Sequence, residues 1–65
     1  MLLFVIRLNG RYLKSVEDFQ AQEWAEDVKN AYHYDSHGLS YACQIAQTYG
    51  ADVLRHNTVT NAVTK

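Results

Sequence analysis

An almost wholly apolar run, LLFVIRL, and a mixed run, RYLKS, are both rich in β-favouring residues, with Asn9-Gly10 between them. Asn-Gly readily supplies the two positive-φ positions of a type I′ turn, so the pattern predicts a β-hairpin with a two-residue loop. In that register Leu8 faces Arg11, Arg7 faces Tyr12, Ile6 faces Leu13 and Phe4 faces Ser15. Phe4, Ile6, Leu8 and Leu13 then share a face assigned to the core. Val5, Arg7, Tyr12 and Lys14 share the opposite face, expected to stay wet with the stem of Arg7 across the Tyr12 ring.

Helical spacing dominates SHGLSYACQIAQTYG, where Leu39, Ala42, Cys43, Ala46 and Tyr49 recur on one stripe. Ser36 is the candidate N-cap, Gly38 weakens the first turn, and Gly50 stands where a left-handed C-cap is wanted. The helix is expected across the core face of the sheet. ADVLRHNTVT then returns to β-favouring residues as a last strand, and the tail 61–65 is expected to fray.

The stretch SVEDFQAQEWAEDVKNAY is ambiguous. Ala21, Trp24, Ala25, Val28, Ala31 and Tyr32 fall at helical intervals, and Ser15-x-x-Asp18 has the form of a capping box. A second signal is the run W-x-x-D-V-x-x-A-Y-x-Y-D-S, followed by a helix carrying small residues and then Tyr49-Gly50-Ala51-Asp52-Val53, behind the opening FVIRLNGRYL. This combination resembles small phage- and prophage-encoded accessory proteins over roughly residues 4 to 54. The resemblance implies an irregular Trp segment with a short helical turn, and a short strand at Ala31 to Asp35 leading into the helix. The chain departs from that pattern at Gly38 and in the tail from Val59 to Lys65. The expected fold is therefore α+β: a three- or four-stranded, mainly antiparallel sheet, one principal helix on one face, and a short helical segment near Trp24. The extent of any helix before Asn30 stays open.

A chain of 65 residues has room for one domain, 1–65, and buries only about 60% of the surface that its unfolded form exposes. So small a core favours self-association or docking on a partner, and a homodimer is one form this could take. Hydrophobic residues make up 48% and charged residues 20%, a globular composition. A net charge of −1 argues against a general nucleic-acid binder, which needs a clear surplus of Lys and Arg. The single cysteine, Cys43, cannot form an internal disulfide, which suits a reducing cytoplasm. The opening MLLFVIRLNG reads as a strand and not as a signal peptide or membrane span.

Candidate chemistry is thin. His33 and His37 are four apart with Cys43 following, but Asp35-Ser36 as the helix start would leave His33 outside and scatter the three ligands. Cys43 lies in the apolar stripe between Ala42 and Gln44, which suits a small core residue better than a nucleophile. For hydrolytic chemistry Glu23 can be paired with Asp27, or Ser40 with His37, and so small a domain has little capacity to enclose either pair. No metal, cofactor or catalytic residue is expected.

Charge is distributed with a sign. Arg7, Arg11 and Lys14 occur before residue 15 without an acid, whereas Glu17, Asp18, Glu23, Glu26 and Asp27 occur between 15 and 28 without a base. Such a segment suits either a solvated face or a surface that docks on a basic partner. The expected partner-binding residues are Glu17, Asp18, Glu23, Trp24, Glu26, Asp27 and Tyr32, because Trp and Tyr bury large area at small entropic cost. Taken with the resemblance, they imply a non-enzymatic inhibitor or modulator of phage type, anti-CRISPR proteins being one kind, that occupies a basic surface of a host protein or complex. The alternatives are a weak nucleic-acid-binding accessory protein, using Arg7, Arg11, Lys14 and the tyrosines, and a small enzyme.

Overall fold

In the computed structural model, which describes residues 2–65, the chain forms a five-stranded antiparallel sheet and one α-helix. The strands are β1 (Leu2–Leu8), β2 (Arg11–Glu17), β3 (Gln20–Ala25), β4 (Asp52–Asn57) and β5 (Val63–Thr64), in the order β3-β2-β1-β4-β5. A 3-10 turn at Val28–Asn30 and the helix α1 (Leu39–Tyr49) lie between β3 and β4. The architecture is the expected α+β, with more strands than the pattern predicted. No helix among the described residues is long and apolar enough to cross a membrane.

The Asn9-Gly10 turn forms as expected, with φ of 53° and 78°, and pairs Leu8 with Arg11 and Arg7 with Tyr12. Beyond that point the hairpin opens. Instead of Ile6–Leu13 and Phe4–Ser15 pairing, residues 31–34 insert between the two strands. Tyr32 N–H donates to the Leu13 carbonyl at 2.8 Å, and Phe4 and Tyr34 exchange two backbone hydrogen bonds, each 2.8 Å. The short strand expected at Ala31 to Asp35 is thus reduced to a bridge at Tyr34.

Insertion of this segment places a core on each side of the sheet. Ile6, Leu13, Tyr34, Ala42, Ile45 and Ala46 are buried together under α1, with Phe4, Val16, Trp24 and Tyr49 packed around them. On the other face Val5, Ala31 and Leu54 are buried, with Tyr12, Val28 and Val63 alongside. Val5, expected to be wet, is therefore fully buried. Arg7 and Tyr12 do pair on that face, with the guanidinium 5.7 Å from the ring centroid.

The helical periodicity around Trp24 arises from a strand. Leu13 pairs with Trp24, Ser15 with Glu23 and Val16 with Ala21, so Lys14 in β2 and Gln22 in β3 each lack a partner. These two irregularities shift the parity so that Ala21 and Trp24, three apart, both reach the α1 core. Ala25 falls opposite Tyr12, which packs on the second core, as Val28 does. Burial at i, i+3, i+4 and i+7 thereby imitates a helix. Trp24 itself lies in β3, and the short helical segment expected near it is the 3-10 turn at Val28–Asn30, capped by Asp27.

Three further local expectations change. Ser36 does not cap α1: Asp35 Oδ1 accepts from the N–H groups of His37 and Gly38, both at 3.0 Å, one turn before the helix starts. The buried stripe is Ala42, Ile45 and Ala46, leaving Cys43 at its half-buried margin. The tail does not end free, because Val63 pairs with His56 and Thr64 with Arg55. Gly50 is the left-handed cap as expected, at φ 66°, its N–H reaching the Ala46 and Gln47 carbonyls.

Because both faces of the sheet are buried, truncating Val5 is costly, as it is for residues beneath the helix. Val5→Ala should lower unfolding free energy by about 2–3 kcal/mol and Leu13→Ala by about 3–5 kcal/mol in chemical denaturation. A wet Val5 would leave the midpoint unmoved.

Candidate functional site

The seven residues proposed for partner binding are not gathered in one place. Glu17 and Asp18 stand at the tip of the β2–β3 hairpin, where Glu17 pairs with Gln20 and Asp18-Phe19 forms the two-residue turn. Glu26 and Asp27 follow the far end of β3, about 17 Å away at about 3.3 Å per residue. Glu23 lies between them and approaches Lys14 at 3.9 Å; both side chains are more than half exposed, so the pair adds little to stability. Asp27 has a local role, its Oδ1 accepting from Lys29 N–H at 2.9 Å. The carboxylates are therefore spread along a sheet margin, and the self-repulsion expected of a crowded acidic helix is relieved.

Trp24 turns inward. It is half-buried and meets Tyr49 edge to face at 6.3 Å between ring centroids. Tyr49 also receives a 2.8 Å hydrogen bond from Ala21 N–H on β3. This occupies one of the outward donors of an edge strand already interrupted at unpaired Gln22 and charged at Glu23. The opposite edge, β5, is two residues long and is followed by Lys65. Both margins are thus blunted against strand addition.

Phe19 is the residue that sequence reasoning missed. It holds φ of 63°, a left-handed conformation that costs a non-glycine residue on the order of 1–2 kcal/mol, and its side chain stays 47% exposed. Its ring lies 4.6 Å from that of Tyr41, which lies 6.1 Å from Tyr34, which lies 4.8 Å from Tyr32. Four rings so form a row with half-buried Tyr41 and buried Tyr34 in the middle and exposed ends, Tyr32 being 50% exposed. Only the run Glu17-Asp18-Phe19-Gln20 between β-favouring residues hinted at a turn, without the glycine that would have marked it.

Along this row, the Tyr34 hydroxyl is buried without a hydrogen-bond partner. Burial, reinforced by the neighbouring Tyr41 and Tyr32 phenols, pushes its pKa up to about 12. The metal ligands considered from sequence are not assembled: His37 is nearly fully exposed beside Asp35, Cys43 is on α1, and His33 faces His56. Among the described residues no group of three or more His, Cys, Asp or Glu side chains converges. A hollow of ≈ 500 Å³, lined by Leu8, Asn9, Arg11, Ala21, Trp24 and Tyr49, opens to solvent. Comparison with protein-family models, curated proteins and solved structures finds no match for this chain.

Tyr49→Phe should cost about 1 kcal/mol, the worth of one hydrogen bond, and should accelerate amide exchange at Ala21. Tyr34 should resist ionisation in a tyrosinate absorbance titration until about pH 12, a step that Tyr34→Phe deletes. Because the folded value lies above the ordinary 10, the native phenol keeps a proton that the unfolded one releases. Its contribution to stability is complete below pH 10 and is lost as pH rises toward 12.

Proposed function

We propose that the protein is a non-enzymatic protein-binding module, an inhibitor or modulator of phage type, that occupies a basic surface of a host protein or complex in the bacterial cytoplasm. The observation that carries this reading is the hairpin tip Glu17-Asp18-Phe19, where a half-exposed aromatic ring is held in a strained backbone conformation beside two carboxylates. A glycine at position 19 would relieve the strain, so the ring must recover its cost elsewhere. Packing on Tyr41 recovers part, and insertion into a partner's apolar pocket would add the rest.

Complementary charge would steer association and reject acidic partners, and the aromatic ring would supply the buried contact. Glu23, Glu26 and Asp27 extend the same sign of charge along β3, so a basic partner could follow the margin. The phage and anti-CRISPR assignment draws on the sequence resemblance alone. Nucleic-acid binding is the weaker reading, since Arg7 lies over Tyr12 and Lys14 faces Glu23, which leaves fewer cations for phosphate.

Affinity capture from a bacterial lysate tests the tip, with the parent compared against Phe19→Gly and against the double variant Glu17→Lys, Asp18→Lys. Phe19→Gly should change unfolding free energy by about 1 kcal/mol or less, strain relief offsetting the lost ring contact. Both variants should lose the same captured protein while remaining folded by circular dichroism. Undiminished capture by both would remove the tip from the interface. Glu26→Lys with Asp27→Lys then separates a role for the far end of β3.

A further inference from the structure

His56 projects from β4 onto the second core and is only 2% exposed. Its Nδ1 lies 2.7 Å from His33 Nε2, and its Nε2 lies 3.2 Å from Asn61 Oδ1. Asn61 is held in place by the turn that joins β4 to β5. It adopts φ of 61°, its N–H donates to the Asn57 carbonyl at 2.7 Å, and Asn57 N–H donates to the Ala62 carbonyl at 2.9 Å.

An amide oxygen can only accept, so the contact with Asn61 places a proton on His56 Nε2. His56 Nδ1 is then a bare lone pair, and His33 Nε2–H donates to it. Burial and the neighbouring His56 act against a charge on His33 and hold its pKa below 6.5, opposed by the Ala31 backbone, which favours the charged form. The 2.7 Å gap accommodates one proton and no more. Were both rings charged, two N–H groups would point at each other. A single metal ion does not suit the gap either, since two imidazole ligands on a tetrahedral ion stand about 3.3 Å apart.

We propose that His33, His56 and Asn61 form an acid-labile clasp that ties the inserted segment 31–34 and the β4–β5 turn to the sheet, and that opens when both imidazoles become charged. The clasp is independent of the binding role assigned to the hairpin tip. Of the residues lining the hollow over the pair, Leu3, Lys29, Thr58 and Asn61 besides the two histidines, Lys29 alone carries charge, and its sign adds to the repulsion. No carboxylate lines that hollow; Asp35 shares the adjoining hollow with His33, where its Oδ1 accepts from the His37 and Gly38 N–H groups.

The direction of the pH effect follows from counting protons. In the unfolded chain each imidazole takes up a proton independently as pH falls through about 6.5, whereas the folded pair takes at most one. The unfolded state then binds one more proton, so the clasp's contribution is complete above that pH and declines below it. Each further pH unit lowers the folding equilibrium constant about tenfold. Opening would release Tyr32 and Tyr34 from between β1 and β2.

Urea denaturation of the full chain between pH 4.5 and 8 tests the clasp, comparing the parent with His33→Gln and with His37→Gln. A glutamine at 33 offers an amide oxygen that accepts from a charged His56. His33→Gln should therefore abolish most of the tenfold-per-unit loss below pH 6, whereas His37→Gln should retain it. Nitrogen-detected histidine NMR on the parent serves if His33→Gln fails to fold: His56 should be the Nε2–H tautomer at pH 7.5, and the two rings should titrate as a coupled pair. Identical pH dependence in parent and His33→Gln, or independent titration of His33 and His56 near pH 6.5, overturns the clasp. So does stabilisation by zinc that requires both histidines, which would make the pair a metal site.

Discussion

Two backbone hydrogen bonds between Phe4 and Tyr34 organise the rest of the molecule. They hold residues 31–34 between β1 and β2, where an ordinary hairpin would have closed on itself. Side chains alternate along extended backbone, so successive residues of that segment serve opposite sides of the sheet. Tyr34 joins the core beneath α1, Ala31 joins the core beneath the 3-10 turn, and His33 meets His56. One segment thereby seals a gap in the sheet and links its two hydrophobic layers.

Two layers suit a chain of this size. A 65-residue domain cannot build one thick core, and a sheet buried on one side alone would leave Val5 and Leu54 in water. Covering the second face takes only Val28, Ala31 and the short strand β5. The fold gains apolar burial without a second full helix, but its integrity then depends on residues between β3 and α1 that have little regular secondary structure of their own. The His33–His56 contact lies where that dependence is greatest.

The acidic margin and the inserted segment divide the molecule's surface differently from a linear view of the chain. Glu17, Asp18 and Phe19 project from a hairpin tip, while Tyr32 lies at the other end of an aromatic row that passes through buried Tyr34. A ligand at the tip and a change at the clasp would therefore act on the two ends of one packed series of rings. The bulged, charged and side-chain-capped edge of β3 keeps such a surface from pairing with other strands.

Local chemistry determined a good part of this structure. Asn9-Gly10 dictated the first turn and the Arg7–Tyr12 register, Gly50 dictated the end of α1, and the β-favouring residues after Ala51 marked β4, because each rests on the conformational preference of a few adjacent residues. Tertiary structure decided the rest. Whether Ala21, Trp24, Ala25 and Val28 line a helix or straddle a strand depends on unpaired Lys14 and Gln22, which exist only relative to a partner strand. Whether Val5 faces water depends on a segment twenty-six residues later along the chain, Ala31, folding back over it. Phe19 at a hairpin tip and His33 against His56 were likewise invisible, since neither the turn without glycine nor the pairing across twenty-three residues leaves a periodic trace in the sequence.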